Sequence, residues 1–204
     1  MCAIFWTPIK DTITQNPMAH IYEKYLKEVL IDADTLQTRI RALGEQITRD
    51  YQDLKGDILL ICILKGGVMF LSDLTRCLDI PHEIDFMAVS SYGKGGRTSS
   101  RNVRIDMDLT TQLNGKHVLI VEDIIDSGHT LKFVLKMLRA RNPASLRMVT
   151  LLNKQSRREV PIPVDYIGFD IEDKFVFGYG LDLDEKFRNL PFIGVVDLEK
   201  LGNA

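Results

Sequence analysis

Three carboxylates accompany a short apolar run near the middle of the chain. Glu122 and Asp123 come directly after Val118 to Val121, and Asp126 follows two isoleucines. A continuous apolar run of this kind predicts a strand that is buried on both faces, as in a parallel sheet. Acids at its C-terminal end lie where open α/β sheets bind ligands. They suit sugar hydroxyls or a divalent metal, because they would repel a phosphate.

The residues from Asp126 to Thr130 have the chemistry of a phosphate-binding turn. Asp126 or Ser127 is expected to N-cap the helix that follows, and Gly128 permits a tight turn. Backbone N–H groups at the helix start and the hydroxyls of Ser127 and Thr130 would direct donors at one point. The helix dipole also favours an anion there.

A second candidate anion turn follows another apolar strand. Ile58 to Leu64 is a predicted buried strand, and Lys65-Gly66-Gly67 comes next, before a helical pattern. The backbone N–H groups and the Lys65 ammonium could hold a second phosphate. An ordinary strand–helix turn is the alternative interpretation.

The remaining elements predict an α/β fold with a mostly parallel, twisted sheet flanked by helices. Asp34 to Tyr51 is a predicted helix with a capping-box-like start at Asp34 and Gln37. Further strands are expected at 82–90, 102–109, 146–152 and 164–169, with helices at 68–78 and 131–141, and Phe192 to Val196 is expected to close the sheet.

The segment V-L-I-V-E-D-I-I-D-S-G-H-T resembles the phosphoribosyl pyrophosphate signature of the type I phosphoribosyltransferases. Later segments are similar to the hypoxanthine-guanine branch of that family, and the likeness covers roughly 29–196. It implies the type I phosphoribosyltransferase fold, with a small C-terminal hood over the purine. Residues 1–19 are expected to be a variable N-terminal arm and 20–204 a single domain. The hood would comprise roughly 154–204 and part of the N-terminus.

The resemblance assigns a role to each candidate site residue. It implies that phosphoribosyl pyrophosphate is bound by Lys65, Gly66, Glu122, Asp123, Asp126, Ser127, Gly128, His129, Thr130 and Arg188, with His129 contributing its backbone. It implies that the purine is bound by Lys154, Phe175, Val176 and Asp182, and that Mg²⁺ is held by Asp182, Glu122 and Asp123. In the family, the peptide before the lysine of the L-K-G-G turn is cis.

The role of Asp126 and the role of the stretch from Ser91 to Ser100 each have two interpretations. The resemblance implies that Asp126 is the general base for the purine N7 proton, although it could instead only orient the purine by a hydrogen bond. The glycine-rich stretch from Ser91 and Tyr92 to Ser100 resembles the family's flexible loop, which would close over the site. A solvated hairpin connection is the alternative for that stretch.

Bulk properties agree with a one-domain cytoplasmic protein. The chain has 204 residues and a net charge of −2, whereas a dedicated nucleic-acid binder would be basic. Neither a membrane-spanning run nor a signal peptide is visible, so no nucleic-acid or membrane partner is expected. Three cysteines without metal spacing suit a reducing compartment, and Cys62 and Cys77 are expected to be buried thiols.

The predicted activity is purine salvage. Ribose 5-phosphate would pass from phosphoribosyl pyrophosphate to hypoxanthine or guanine, with Mg²⁺ as cofactor, in a homodimer or homotetramer by resemblance. One alternative is a nucleotide-sensing regulator of the same fold. Another is an orotate- or adenine-specific enzyme, although a lysine donor at position 154 disfavours a 6-amino purine.

Overall fold

The structure, a computed structural model, describes residues 19–92 and 102–201, with side chains for 21–90 and 103–200. The arm expected at 1–19 therefore falls outside the described residues except for Ala19. The side chains of Ser91 and Tyr92 and the rest of the expected closing loop also lie outside them. The elements are α1 (Ala19–Glu23), β1 (Leu26–Ile31), α2 (Ala33–Tyr51), β2 (Ile58–Leu64), α3 (Val68–Arg76), β3 (Glu83–Tyr92), β4 (Asn102–Met107), β5 (His117–Ile125), α4 (His129–Arg139), β6 (Ser145–Asn153), a 3₁₀ turn (Gln155–Arg157), β7 (Tyr166–Asp170), β8 (Val176–Phe177), β9 (Ile193–Val196) and α5 (Leu198–Leu201).

The larger sheet confirms the expected α/β fold. Its strand order within the described part is β4-β3-β2-β5-β6-β7. Neighbouring strands are parallel except β3 and β4, which pair antiparallel. The strands expected near Ile58, Val118 and Leu146 are β2, β5 and β6, so the apolar runs lie at the centre of this sheet.

Helices cover both faces of the larger sheet. The side chains of β2 alternate between two cores: Leu60 and Cys62 pack with α2 and α3, whereas Leu59 and Ile61 pack with α4. This alternation follows from the two-residue period of a strand. Among the described residues, no helix is long and apolar enough to cross a membrane.

A second sheet corrects the expected position of the last strand. β9 pairs with β1 and β8 in a three-stranded antiparallel sheet, ordered β1-β9-β8, and does not close the larger sheet. Its Val196 packs in a separate core with Phe177, Leu183 and Leu190, whereas Ile193 and Val195 join the core that α2 and α3 share with the larger sheet. Sequence reasoning missed β1, whose residues are mostly exposed. β7, although it falls in the range expected for the hood, belongs to the larger sheet.

The start of α2 differs from the predicted capping box. Asp32 is the N-cap, and its carboxylate accepts a hydrogen bond of 2.8 Å from the Thr35 N–H. Gln37 instead donates to Asp73 on α3, at 2.6 Å. The Gln37 side chain, which the local pattern assigned to the helix cap, therefore binds a residue of another helix instead.

Cys62 is a buried thiol as expected, but Cys77 is only partly buried. The difference follows from position, because Cys62 lies inside β2 whereas Cys77 is the C-cap of α3.

Candidate active site

The site lies where the chain changes from one face of the larger sheet to the other. β2 leads into α3 on one face, and β5 leads into α4 on the opposite face. The pairing of β2 with β5 ends at Cys62 and Val121, whereas β5 continues beside β6 as far as Ile125. The carboxyl ends of β2 and β5 therefore separate, and they open the crevice in which α/β sheets bind ligands.

An open cavity of about 360 Å³ occupies this crevice. It brings together most of the residues that the sequence singled out, although they come from three separate segments. The predicted site residues that line it are Lys65, Gly66, Glu122, Asp123, Asp126, Ser127, Gly128, Thr130, Asp182 and Arg188. His129, Lys154, Phe175 and Val176 do not line it.

The paired acids, Glu122 and Asp123, belong to β5 itself, and both line the cavity. Burial raises the pKa of Glu122 well above its ordinary value, and the neighbouring Asp123 charge raises it further. Among the described residues, none donates a hydrogen bond to the buried Oε2 of Glu122. Burial also raises the pKa of Asp123 to about 6, although its own backbone hydrogen bonds and the Arg188 guanidinium oppose that rise. Two buried carboxylates with raised pKa values in one crevice can gain stability by binding hydrogen-bond donors or a cation.

The burial of the charged Asp123 carboxylate predicts that its replacement by a neutral amide stabilises the protein. The pKa of Asp123 is higher in the folded protein than its ordinary 3.8, so its ionisation lowers the free energy of unfolding as pH rises from about 4 to about 6. Two pKa units correspond to at most about 3 kcal/mol. We expect Asp123→Asn to raise Tm by about 3–6 °C at pH 7.5 and to lose that gain near pH 4.

Thermal denaturation at several pH values measures this effect. Asp53→Asn, at an exposed position outside the cavity, is the matched control and should melt like the parent protein throughout. An Asp123→Asn protein that melts at or below the parent temperature at pH 7.5 would contradict the argument.

The anion turn differs from the expected N-cap. Gly128, not Asp126 or Ser127, is the N-cap of α4, with φ of +89°, and among the described side chains none caps this helix. The first helix carbonyl, that of Gly128, accepts from Lys132, so the amides before Lys132 have no helix carbonyl to bind. Of these residues, Thr130 and Leu131 line the cavity, and the free amides at this helix start are donors for an anion.

The second turn contains a cis peptide between Leu64 and Lys65, as the resemblance implied. Gly66 packs directly against the paired acids, because a Cβ built on it would lie 1.6 Å from Asp123 Oδ2. Gly180, with φ of +97°, closes over the same turn, since its Cβ would lie 2.0 Å from the Gly66 carbonyl oxygen. Three segments therefore meet at Gly66 with no space for a side chain.

Two cations at this end of the cavity are bound to one acid. The Lys65 Nζ lies 2.7 Å from Glu185 Oε2, and the Arg188 Nη2 lies 3.3 Å from Glu185 Oε1. These cations lower the pKa of Glu185. Arg188 also lies 2.8 Å from Asp182 Oδ1 and donates to the Gly180 carbonyl oxygen. Lys65, Asp182 and Arg188 thus belong to one charged cluster, which Lys65 joins through Glu185.

A second charged cluster surrounds Asp126. The Arg157 Nε lies 3.3 Å from Asp126 Oδ1, and the Lys154 Nζ lies 4.0 Å from Asp126 Oδ2. Asp173 joins both cations, at 3.4 Å from Lys154 and 3.6 Å from Arg157. Lys154 is buried, with 6% of its surface exposed, which is unusual for an ammonium and depends on these acids.

The expected purine-binding aromatic lies beyond this second cluster. Phe175 is 51% exposed and directly precedes β8, next to the buried Val176. The Phe175 carbonyl oxygen accepts from the Val196 N–H at 2.8 Å, which fixes the backbone of the segment. His129 does not line the cavity, and its Nε2 lies 2.8 Å from Glu159 Oε2.

The donor set allows a magnesium site that a substrate completes. Among the described residues, no three His, Cys, Asp or Glu side chains converge as a ready metal cage. Mg²⁺ commonly uses one or two carboxylates and takes its other ligands from phosphate and water. Asp123, Asp182 and the unsatisfied Glu122 Oε2 supply carboxylate oxygens of that kind, so the residues fit such an ion.

Sequence reasoning missed three charged residues of the site. Arg157 and Asp173 complete the second cluster, and Glu185 joins Lys65 to Arg188. A signal existed for Arg157, because it lies three residues after Lys154 and a helical turn places such residues together. Asp173 and Glu185 become visible only through contacts between distant segments.

Comparison with known proteins gives consistent results. Residues 32–186 match the family described as phosphoribosyl transferase domain. A hypoxanthine phosphoribosyltransferase of Salmonella typhimurium is 49% identical over 175 residues, which are 86% of this chain and 98% of that protein. A hypoxanthine-guanine phosphoribosyltransferase of Mycobacterium bovis is 46% identical over 195 residues, 94% of this chain and 96% of that protein. A crystal structure of a hypoxanthine phosphoribosyltransferase from Staphylococcus aureus superposes with a TM-score of 0.82 at 44% identity, covering 88% of this chain and 96% of that one.

Proposed function

Because the chain belongs to the phosphoribosyltransferase family, and to its hypoxanthine-guanine branch, we propose that it is a purine-salvage enzyme. It transfers ribose 5-phosphate from phosphoribosyl pyrophosphate to hypoxanthine or guanine, and it releases the nucleoside monophosphate and pyrophosphate. The observation that carries this proposal is the cavity itself, in which two anion turns flank a pair of carboxylates.

The sugar donor spans the cavity in this proposal. Its 5′-phosphate lies on the N-terminus of α4, where the helix amides and the Ser127 and Thr130 hydroxyls are donors. Its ribose hydroxyls donate to the carboxylates of Glu122 and Asp123 on β5, of which Glu122 Oε2 has no hydrogen-bond donor among the described residues. Its pyrophosphate lies at the turn of Lys65 and Gly66 beside Arg188, whose planar guanidinium binds phosphate oxygens in pairs.

The purine lies between the second cluster and the smaller sheet. The Lys154 Nζ donates to the 6-oxo group, and Phe175 stacks on the ring while the backbone at Val176 contacts its edge. As the purine N9 bonds to C1 of the ribose, the bond from C1 to pyrophosphate breaks. Asp126 accepts the N7 proton, because its carboxylate is exposed at the cavity edge.

Mg²⁺ is the proposed cofactor. Asp182, Asp123 and Glu122 would hold it together with donor oxygens, and it would neutralise charge on the leaving pyrophosphate. Lys65 and Arg188 contribute positive charge to the same group from the protein side.

Glu185 forms ion pairs with Lys65 and Arg188, the two cations that would bind the pyrophosphate. It therefore competes with the substrate for them. Both of its ion pairs are exposed to water, which weakens them, so replacing the acid frees Lys65 and Arg188 at little cost. We expect Glu185→Gln to lower Kd for phosphoribosyl pyrophosphate by about threefold to tenfold in calorimetric titration. Glu45→Gln, exposed on α2, is the control; weaker binding by the Glu185 variant would show that this acid assists the donor instead.

A turnover assay tests the proposed function directly. The protein, Mg²⁺ and phosphoribosyl pyrophosphate are mixed separately with hypoxanthine, guanine, xanthine, adenine and orotate, and nucleotide formation is followed by absorbance. Turnover with hypoxanthine or guanine that chelation abolishes is the expected result. Tight donor binding without turnover on any base would indicate a regulator of the same fold instead.

The proposal also includes the location, the assembly and the domain organisation of the enzyme. The free thiols of Cys62 and Cys77 support a cytoplasmic location. Ile21 and Met69 are exposed apolar side chains that line one depression with Phe187, and they support assembly as a dimer or tetramer. Residues 20–204 act as one domain in this proposal, with the smaller sheet as the hood.

A further inference from the structure

Arg157 and Lys154, the two cations paired with Asp126, lie at different distances from its two carboxylate oxygens. Arg157 Nε is within hydrogen-bond range of Asp126 Oδ1, at 3.3 Å. Lys154 Nζ, at 4.0 Å from Asp126 Oδ2, is beyond that range. One carboxylate oxygen of Asp126 is therefore held by a hydrogen bond, and the other keeps its acceptor capacity.

Asp173 gives Lys154 a separate anchor. It accepts from the Lys154 ammonium at 3.4 Å, so Lys154 does not need Asp126 as its partner. Asp173 also lies 3.6 Å from Arg157, which places two acids and two cations in a closed ring. Each charge in such a ring restrains the others, because moving one side chain separates two ion pairs.

The local backbone determines which arginine enters the ring. Lys154 is the N-cap of the 3₁₀ turn, and the Arg157 N–H donates to its carbonyl oxygen at 3.1 Å. This turn brings the side chains of Lys154 and Arg157 to the same side. Arg158 donates instead to the Asn153 side chain on β6, although its charge also interacts with Asp126 at longer range.

We propose that Arg157 is a positioning residue for the transfer reaction: it holds one oxygen of Asp126 so that the other faces the purine N7 proton. This inference rests on the proposed function, because it requires that Asp126 accept that proton. Arg157 touches neither the sugar donor nor the purine in this arrangement. It acts on the proton transfer through Asp126, and its second ion pair, with Asp173, belongs to the same ring.

The proposal predicts a selective loss of turnover. Arg157→Ala leaves the Asp126 carboxylate present but unrestrained, so part of a general-base contribution of about 10²–10⁴ is lost. We expect kcat to fall by about tenfold to thirtyfold while KM for phosphoribosyl pyrophosphate stays within about twofold. Arg157→Lys should lose less, about twofold to fivefold, because an ammonium still donates from the same turn. Arg139→Ala, at another exposed arginine on α4, is the matched control and should behave as the parent enzyme.

A double-mutant cycle provides the decisive experiment. If Arg157 acts through Asp126, then Arg157→Ala lowers kcat in the parent enzyme but not in an Asp126→Asn background. Equal losses in both backgrounds would overturn the proposal, as would an unchanged kcat for Arg157→Ala. Thermal denaturation accompanies each assay, and the same cycle with Arg157→Lys replaces it if the alanine variant does not fold. A parent enzyme that forms no nucleotide would instead overturn the proposed function, so the two failures are distinct.

Discussion

Asp126→Asn is expected to lower kcat by about 10²–10⁴ while affinity for phosphoribosyl pyrophosphate changes little. The amide has nearly the same shape, and it can still accept the hydrogen bond from Arg157 Nε. It cannot take the proton that leaves N7 when N9 bonds to the sugar. The loss should therefore appear in the chemical step, measured as kcat by steady-state assay, and not in donor binding, measured by calorimetry.

The comparison with donor affinity makes this prediction specific. Asp53→Asn, the exposed control on the loop after α2, should leave both quantities unchanged. If Asp126→Asn lowers donor affinity as much as it lowers turnover, Asp126 is a donor-binding or purine-orienting residue and not a general base.

Gly66→Ala is expected to lower kcat/KM for phosphoribosyl pyrophosphate by at least about a hundredfold, a loss of about 3 kcal/mol in transition-state stabilisation. A methyl group on Gly66 would occupy the position of Asp123 Oδ2, at 1.6 Å. The carboxylate can turn aside, but it then leaves the position in which it would accept the ribose hydroxyls. Since the crowded atoms, Asp123 Oδ2 and its Cγ at 2.6 Å, belong to a side-chain carboxyl group and not to the backbone, stability should change less than activity, by a few degrees in Tm.

Gly115→Ala separates crowding from the general effect of adding a methyl group. Gly115 has φ of +78°, and a Cβ there would have no atom within 4 Å. Its replacement is therefore expected to cost about 1–2 kcal/mol of stability through backbone strain, with unchanged kcat/KM. A Gly66→Ala enzyme with the parent kcat/KM would contradict the position assigned to Asp123.

The sequence by itself determined the elements of the larger sheet and the chemistry of its edge. β2 is a continuous apolar run and β5 contains one at Val118–Val121, and only a strand covered on both faces buries every side chain of such a run. Acids or glycines directly after a parallel strand must then lie at the carboxyl edge. The resemblance to a known signature added the roles of Lys154, Phe175 and Asp182, which periodicity alone could not assign.

Only the tertiary structure decided the contacts between segments far apart in the chain. β9 joins β1 across more than a hundred and fifty residues, and β1 is too exposed to show a buried pattern. Gly66 meets Asp123 and Gly180, Glu185 meets Lys65, and Arg157 meets Asp126. A local pattern records which face of an element is apolar, because burial acts on each residue separately. An ion pair or a close backbone approach depends on where two elements lie relative to each other, and packing of the whole chain decides that.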